Sequence, residues 1–316
     1  MKTKSVIFAV FFTALILSYF QTIRIDAPNY DIKLVRHNTI IANTAEYPYK
    51  YRLLNPYIAN VSFTIFKNFI SEKAAFLLAY FIQNILVYSF LLFSFYKFLS
   101  LWFDDTGIIV GLLSLAVLIP LSLTGSDTLG DMTTAGIMSI GFFLINTGKK
   151  KWLYPLLFIA AFNELQLILL IMFYFFSRKS NFTDKKVWVE CIIMTLVFVC
   201  AYYIIYLLRG GQAGSSEYKW YFTKDAVFNI AKKDWILLWL IMIPPYLFFA
   251  IKDFKLKPEF LRRSALIVLP VFYFGAFFFI ARLREIDKAL TIFVILIPLA
   301  LFTLIPKHVK QIKEQP

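Results

Sequence analysis

An all-α, polytopic membrane protein is the fold class this sequence predicts, on three observations. Eight apolar runs have spanning length, 60% of the 316 residues are hydrophobic against 16% charged, and basic residues gather in short clusters between the runs. A transmembrane helix needs about 20 consecutive apolar residues, with roughly 17 at the short end. The mean hydropathy of +0.70 lies outside the soluble globular range. The 36 Phe and 18 Tyr suit a bilayer-embedded bundle with aromatic belts at its interfaces.

The first run, 5–21, follows Met1-Lys2-Thr3-Lys4 and imitates a secretory signal. No small-x-small cleavage site follows it, so it reads as an uncleaved first transmembrane helix. The other full runs are 74–100, 106–124, 132–148, 187–208, 235–251, 264–281 and 289–306. Within the long loop 22–73, Tyr57, Ile58, Val61, Ile65, Phe66 and Phe69 recur at helical spacing. With Asn60, Thr64 and Lys67 between them, they predict a helix over 57–70 lying in the interface plane, with Pro56 just before its start.

The stretch 152–177 is different, because Asn163-Glu164-Leu165-Gln166 splits it into two apolar halves of half-span length. Lys149-Lys150-Lys151, Arg178 to Lys186, 252–263 and 307–313 carry the basic clusters. All of them stay on the cytoplasmic side only if 152–177 enters and leaves on that side, as a re-entrant hairpin with Asn163-Glu164 at its apex. The expectation is one transmembrane domain over 1–316, with about eight full spans plus the hairpin and both termini cytoplasmic. Loop 22–73, a tight loop from Gly125 to Asp131, loop 209–234 and the turn Arg282 to Lys288 then face outward, and the chemistry is expected there.

Composition also excludes. The net charge of +14 has no soluble basic domain to carry it, so it goes with topology and anionic lipid headgroups rather than nucleic acid. Cys191 and Cys200 are nine residues apart in one apolar run, off a common helical face, and the chain has no zinc-type Cys/His cluster. Neither a metal nor a cofactor is expected. Nucleotide-loop, HExxH and GxSxG motifs are absent.

Ionisable residues at membrane level are costly, which makes them functional-site candidates by default. Asn29-Tyr30-Asp31 puts a carboxylate soon after the first span, where it can serve as a general base. In Tyr47 to Pro56, Tyr51 and Arg52 either combine a ring to stack on a sugar or prenyl chain with a guanidinium to grip phosphate, or belong to an ordinary solvated loop whose aromatics anchor the interface. Asn163-Glu164 places a carboxylate between two apolar half-helices, either for substrate or as a scaffold that holds the apex. Arg282, Arg284 and Glu285 between the last two spans suit a lipid phosphate or act as snorkelling anchors. Turn chemistry accounts for Asp127 and Asp131, and His37 reads as an incidental loop histidine.

The same residues resemble motifs of bacterial GT-C-type membrane glycosyltransferases. Tyr30-Asp31 is similar to a Tyr-Asp element after the first span. Tyr49-Lys50-Tyr51-Arg52-Leu53-Leu54-Asn55-Pro56 is similar to a Tyr-Arg-Tyr-Arg-Ile-Leu-x-Pro-like stretch before an interface helix. Phe162 to Gln166 resembles a mid-chain Arg/Lys-Glu-Thr element, and Leu283 to Asp287 a late Glu-x-Arg element. Asn163 stands where a basic residue is usual, and Asp287 where an arginine is. The resemblance implies a polyprenyl-phosphate-linked sugar donor, a glycan or lipid-linked acceptor, and inverting transfer on the outer face of a bacterial cytoplasmic membrane. It implies Asp31 as base, with Asp26 second. Arg52, Arg282 and Arg284 would hold phosphate, Glu164 and Glu285 would orient them or contact sugar, and Tyr51 and Asn163 would complete the substrate site. Two other functions fit the residues: a transporter or flippase of a lipid-linked or anionic substrate, and a non-catalytic cell-envelope assembly protein. A transporter predicts paired broken helices in two related halves, whereas the sequence holds one such break.

Overall fold

A computed structural model describes residues 3–45, 49–123, 128–178, 183–209, 227–228, 230–274 and 286–310. Every element among them is helical, apart from an isolated antiparallel bridge between Phe103 and Val309. Six helices are long and apolar enough to cross a membrane: Val6–Asp26, Glu72–Leu99, Asp105–Ser122, Thr128–Asn146, Lys185–Leu208 and Asp287–Leu304. Leu165–Ser177 and Trp235–Ile251 are shorter apolar helices. The expected run 264–281 is a π-helix over Ser264–Phe274, and its remainder lies outside the described residues.

Helix α1 (Thr3–Gln21) ends in a π-turn, Thr22–Asp26. It is followed by α2 (Tyr30–Ile41), a 3-10 turn at Tyr49–Tyr51 and α3 (Leu54–Phe66). Three long helices come next: α4 (Glu72–Leu99), α5 (Asp105–Ser122) and α6 (Thr128–Asn146). Two short ones, α7 (Leu153–Ala161) and α8 (Leu169–Ser177), precede α9 (Lys185–Leu208). The chain then runs through α10 (Asp234–Ile251), α11 (Glu259–Arg263) and α12 (Leu290–Leu304).

Helix α4 is the axis of the amino-terminal half and packs against α1, α3, α5 and α6. Its buried positions Ala75, Phe76, Ala79, Tyr80, Gln83, Asn84, Val87 and Tyr88 repeat at helical spacing, as a two-residue-wide stripe must. In α6, Gly136 lets the two helices approach closely. A β-carbon there would stand 2.7 Å from the Phe90 ring and 3.3 Å from the Leu91 Cα. Helices α6 and α12 are the most enclosed spans, whereas α9 turns most of its surface outward. Such apolar outward faces are what lipid requires of a spanning helix.

The first loop contains two helices where the sequence pattern showed one. Helix α3 begins at Leu54, earlier than the expected 57–70, and Pro56 lies inside its first turn rather than ahead of it. A first-turn proline costs little, because the N–H it lacks has no intrahelical partner there. Asn55, Ala59 and Phe63 face inward, while Tyr57, Ile58, Val61 and Ile65 are exposed. Helix α2 escaped the pattern because its buried face carries Lys33 and His37 with Ile40, so no apolar stripe marks it.

The stretch 152–177 breaks at Asn163-Glu164, as its sequence predicts. Glu164 is extended (φ −156°, ψ 143°), and a 3-10 turn, Leu165–Ile168, restarts the helix. The chain doubles back: Lys150, ahead of α7, and Tyr174, late in α8, both donate to the carboxylate of Glu190 on α9. At the far end of α9, the Arg209 guanidinium donates to Ile40 O at 2.7 Å and to the Tyr57 hydroxyl at 3.1 Å. Glu190 and Ile205 are separated by about 22 Å along the axis at 1.5 Å per residue. The hairpin base and the first loop therefore sit at opposite ends of α9, and the apex reaches the first loop. Its carbonyl at Phe162 accepts from Leu53 N at 2.9 Å and Leu54 N at 3.1 Å, satisfying N–H groups at the start of α3 that no side chain caps.

Candidate functional site

The first-loop helices and the hairpin apex enclose a half-open cleft of about 560 Å3, mouth included. Helix α2 lines it with Lys33, Arg36, His37 and Ile40, an i, i+3, i+4, i+7 set on one face. Tyr49 and Arg52 close one side, and Asn55 and Pro56 come from the start of α3. Tyr80 of α4, Leu129 and Gly130 of α6, and Asn163 at the break complete the lining.

Three permanent or strongly basic groups dominate its charge. The Arg52 guanidinium lies 2.7 Å from Glu164 Oε1, out of line for a hydrogen bond, so the contact is an ion pair. Arg36 stands 4.4 Å from the centre of the Tyr49 ring and Arg52 5.9 Å from it, so one phenol ring is shared by two guanidinium groups. Lys33 Nζ donates to Asp26 Oδ1 at 2.6 Å and lies 4.0 Å above the Tyr80 ring. Burial draws the Lys33 ammonium below the usual lysine value, and the facing Asp26 carboxylate opposes that pull. Asn84 also donates to Asp26, at 2.9 Å.

His37 is held by its neighbours rather than incidental. Its Nε2 faces Asn60 Oδ1 at 3.2 Å and its Nδ1 meets the Tyr80 hydroxyl at 3.0 Å. With Asn60 presenting its oxygen, Nε2 carries the hydrogen and Nδ1 accepts from Tyr80. Burial lowers the imidazole's proton affinity, the Asn60 contact opposes this and the Lys33 charge adds to it. The ring is neutral at pH 7, and the positive charge of the cleft belongs to Lys33, Arg36 and Arg52.

A chain of neutral side chains positions the ion pair. Gln83 donates to Asn55 Oδ1 at 3.1 Å, and Asn55 donates to Asn163 Oδ1 at 3.1 Å and to Thr133 at 3.0 Å. Asn163 donates to Gly130 O at 3.0 Å and to Thr134 at 2.7 Å, and the Thr134 hydroxyl donates to Glu164 Oε2 at 3.1 Å. Gln166 donates to the same carboxylate oxygen. Four elements are tied to one carboxylate, so its orientation toward Arg52 is fixed before any ligand arrives.

The structure brings Arg52, Glu164 and Asn163 of the expected site together. Tyr51 is buried, but it packs on Tyr202 and Tyr206 of α9 with ring centres 5.6 and 6.5 Å away and does not line the cleft. Asp26 is fully buried and reaches the cleft only through Lys33. Asp31 is exposed in the first turn of α2, away from the lining face. Arg282, Arg284 and Glu285 lie outside the described residues, as does Asp127.

Asp131 requires a correction. The expected tight loop to Asp131 gives way to helix from Thr128, so Asp131 is a buried residue in the first turn of α6. Glu164, Asp287, Lys288 and Arg52 are the charges that act on it. Lys33, Arg36, Gln83, Thr133 and Thr134 also escaped the sequence reading, and Asn55 entered it only as part of the stretch Tyr47 to Pro56. Polar residues inside apolar runs were the available signal for Gln83, Thr133 and Thr134, because membrane-level polar groups need partners.

No family model, curated protein or solved structure matches this chain.

Such a cleft is chemically suited to an anion. Two guanidinium groups and an ammonium offer charge-assisted hydrogen bonds suited to phosphate oxygens. The exposed apolar face of α3 beside it offers a hydrocarbon chain a place to lie.

Proposed function

We propose that this chain is a membrane glycosyltransferase of GT-C type that takes a sugar from a polyprenyl-phosphate donor on the extracytoplasmic face. The observation that carries the reading is the cleft in which Lys33, Arg36 and Arg52 converge beside the outward apolar face of α3. A prenyl phosphate has these two parts, an anionic head and an apolar tail, joined at the membrane boundary. The proposed topology is that of the basic loops: about eight spans, 152–177 re-entrant from the cytoplasmic side, α3 in the outer interface and both termini cytoplasmic. The Lys149–Lys151 run and the first loop lie at opposite ends of α9, which supports that assignment.

In this reading the phosphate sits between Arg36 and Arg52, and Lys33 stabilises the charge that grows on it as the glycosidic bond breaks. The acceptor is a glycan or lipid-linked hydroxyl arriving from the aqueous side. Asp31, exposed on the face of α2 away from the lining, takes its proton through water. The sugar's anomeric carbon then inverts, and the polyprenyl phosphate leaves with the electron pair of the broken bond.

The test is transfer of radiolabelled sugar from a short-chain prenyl-phosphate donor by protein in liposomes. Wild type is expected to transfer, and Asp31→Asn to insert and bind donor yet lose transfer by roughly 100-fold or more, as for a general base. Undiminished transfer by Asp31→Asn would remove that residue from the role.

The broken helix at membrane depth also suits a transporter. Passage of intact lipid-linked donor across the liposome bilayer, without release of sugar, would favour that function over transfer.

A further inference from the structure

Asp131 is 4% exposed, and its Oδ1 has no hydrogen-bond partner among the described residues. It stands one turn before Thr134 on α6, and Thr134 is the residue whose hydroxyl donates to Glu164. An i, i+3 relation puts both side chains on one face, toward the hairpin apex. Gly130, its neighbour, lines the cleft and accepts from Asn163.

The charges around Asp131 come from several elements. The apex brings Glu164, the first loop Arg52, and the 3-10 turn before α12 Asp287 and Lys288. Helix α4, packed along α6, contributes the phenols Tyr80 and Tyr88 at this level, with Glu72, Lys73 and Lys97 toward its ends. Tyr88 is tied to Gln21, which donates to Thr128. The Lys150–Glu190–Tyr174 cluster belongs to the opposite end of the hairpin. The nearest cation to Glu164 is therefore Arg52, and Arg52 is also the group that an anion in the cleft engages.

We propose that Asp131 is a proton-binding residue, and that an anion taking Arg52 in the cleft draws a proton onto it. The inference rests on the cleft being an anion site. The physical reason is local. Among the described residues, the enclosed carboxylates of Asp131 and Glu164 have Arg52 and Lys288 as counter-charges and are tolerable while Arg52 faces Glu164. When an anion takes a share of Arg52, these negative groups in a poorly solvated place lose part of their counter-charge, and a proton on Asp131 restores the balance. The proton comes from solvent, and no bond other than O–H forms. Anion binding then strengthens as pH falls, by at most about tenfold per pH unit for one linked proton.

The experiment is calorimetric titration of the full chain in detergent micelles with farnesyl methyl phosphate, a phosphodiester whose own charge stays fixed. Two buffers of different ionisation enthalpy give the number of protons exchanged. Wild type is expected to take up about 0.5 to 1 proton per ligand bound somewhere between about pH 5 and 8. Asp131→Asn is expected to bind the probe with that uptake cut by at least half. Binding without proton exchange throughout that range overturns the coupling and leaves the cleft intact, as does full uptake by Asp131→Asn. No binding at any pH overturns the cleft itself, and the coupling with it. If Asp131→Asn does not fold, the same titration of His37→Gln decides, because His37 also lines the cleft: uptake that persists supports the carboxylate, and uptake that disappears overturns it.

Discussion

Asp26→Asn is expected to destabilise the protein by about 3–5 kcal/mol, because it leaves Lys33 buried without its counter-charge. The pair is enclosed on both sides, with side-chain exposures of 5% for Lys33 and 0% for Asp26. Water cannot replace the lost carboxylate, and the amide of Asn offers Lys33 an oxygen without the charge. Lys33 Nζ lies 2.6 Å from Asp26 Oδ1, so little rearrangement is open to it. Helix α2 is docked through this contact, so the loss should also loosen His37 and Arg36. The double change Asp26→Asn with Lys33→Met removes both charges, and recovery of most of the lost stability is expected. The check is thermal unfolding of detergent-solubilised protein across the two single variants and the double. A single Asp26→Asn as stable as wild type would mean that the pair does not hold α2. The same series bears on mechanism: if Asp26 holds Lys33 rather than acting as base, the double variant keeps its fold and loses donor affinity through Lys33.

Arg52→Met is expected to weaken prenyl-phosphate binding by about 10- to 100-fold, the worth of one or two charge-assisted hydrogen bonds. The upper end applies only if the guanidinium binds phosphate bidentately, since its side chain is 25% exposed and partly screened. The substitution also strands Glu164, which is 3% exposed. A stability loss is therefore expected in Arg52→Met, with part of it restored in Arg52→Met with Glu164→Gln. Affinity should not return in the double variant, because the ligand's own partner is still missing. Separate measurements of Kd and Tm on the three proteins distinguish these effects. Restored affinity in the double variant would assign Arg52 a purely structural role.

Much of the bundle was legible in the sequence because lipid imposes one rule on every spanning segment: a long apolar run that satisfies its own backbone. The runs at 74–100, 106–124 and 187–208 needed no tertiary information. The break at Asn163-Glu164 was legible for the same reason, since two polar residues interrupt an otherwise continuous apolar stretch. What failed did so where tertiary partners invert the usual meaning of a residue. Helix α2 hides Lys33 and His37 and exposes Ile32 and Val35, so its periodicity runs against expectation. Asp131 follows Gly125-Ser126-Asp127 and Gly130, a composition that belongs to turns, yet Thr128 starts a helix that buries it.

The site divides in the same way. Arg52 and Glu164 were visible as costly charges, and the fold joins them at 2.7 Å. Their positioning network was not visible, because Gln83, Asn55 and Thr133 are ordinary polar residues until three helices bring them together. Asp31 stands out by its place after the first span, but its side of α2 is decided by the pairing of Lys33 with Asp26, which no local pattern contains.

The central claim is that a prenyl phosphate binds in the cleft between α2, the start of α3 and the hairpin apex. Photo-crosslinking tests it most directly, with a prenyl phosphate carrying a diazirine on the isoprene unit next to the phosphate, followed by peptide mapping. Labelling is expected on α2 and the start of α3, within 33–58, and on Leu129 or Gly130, and excess unlabelled farnesyl phosphate should compete it away. Competed labelling confined to α10, or to the end of the bundle where Lys150 meets Glu190, would contradict the claim.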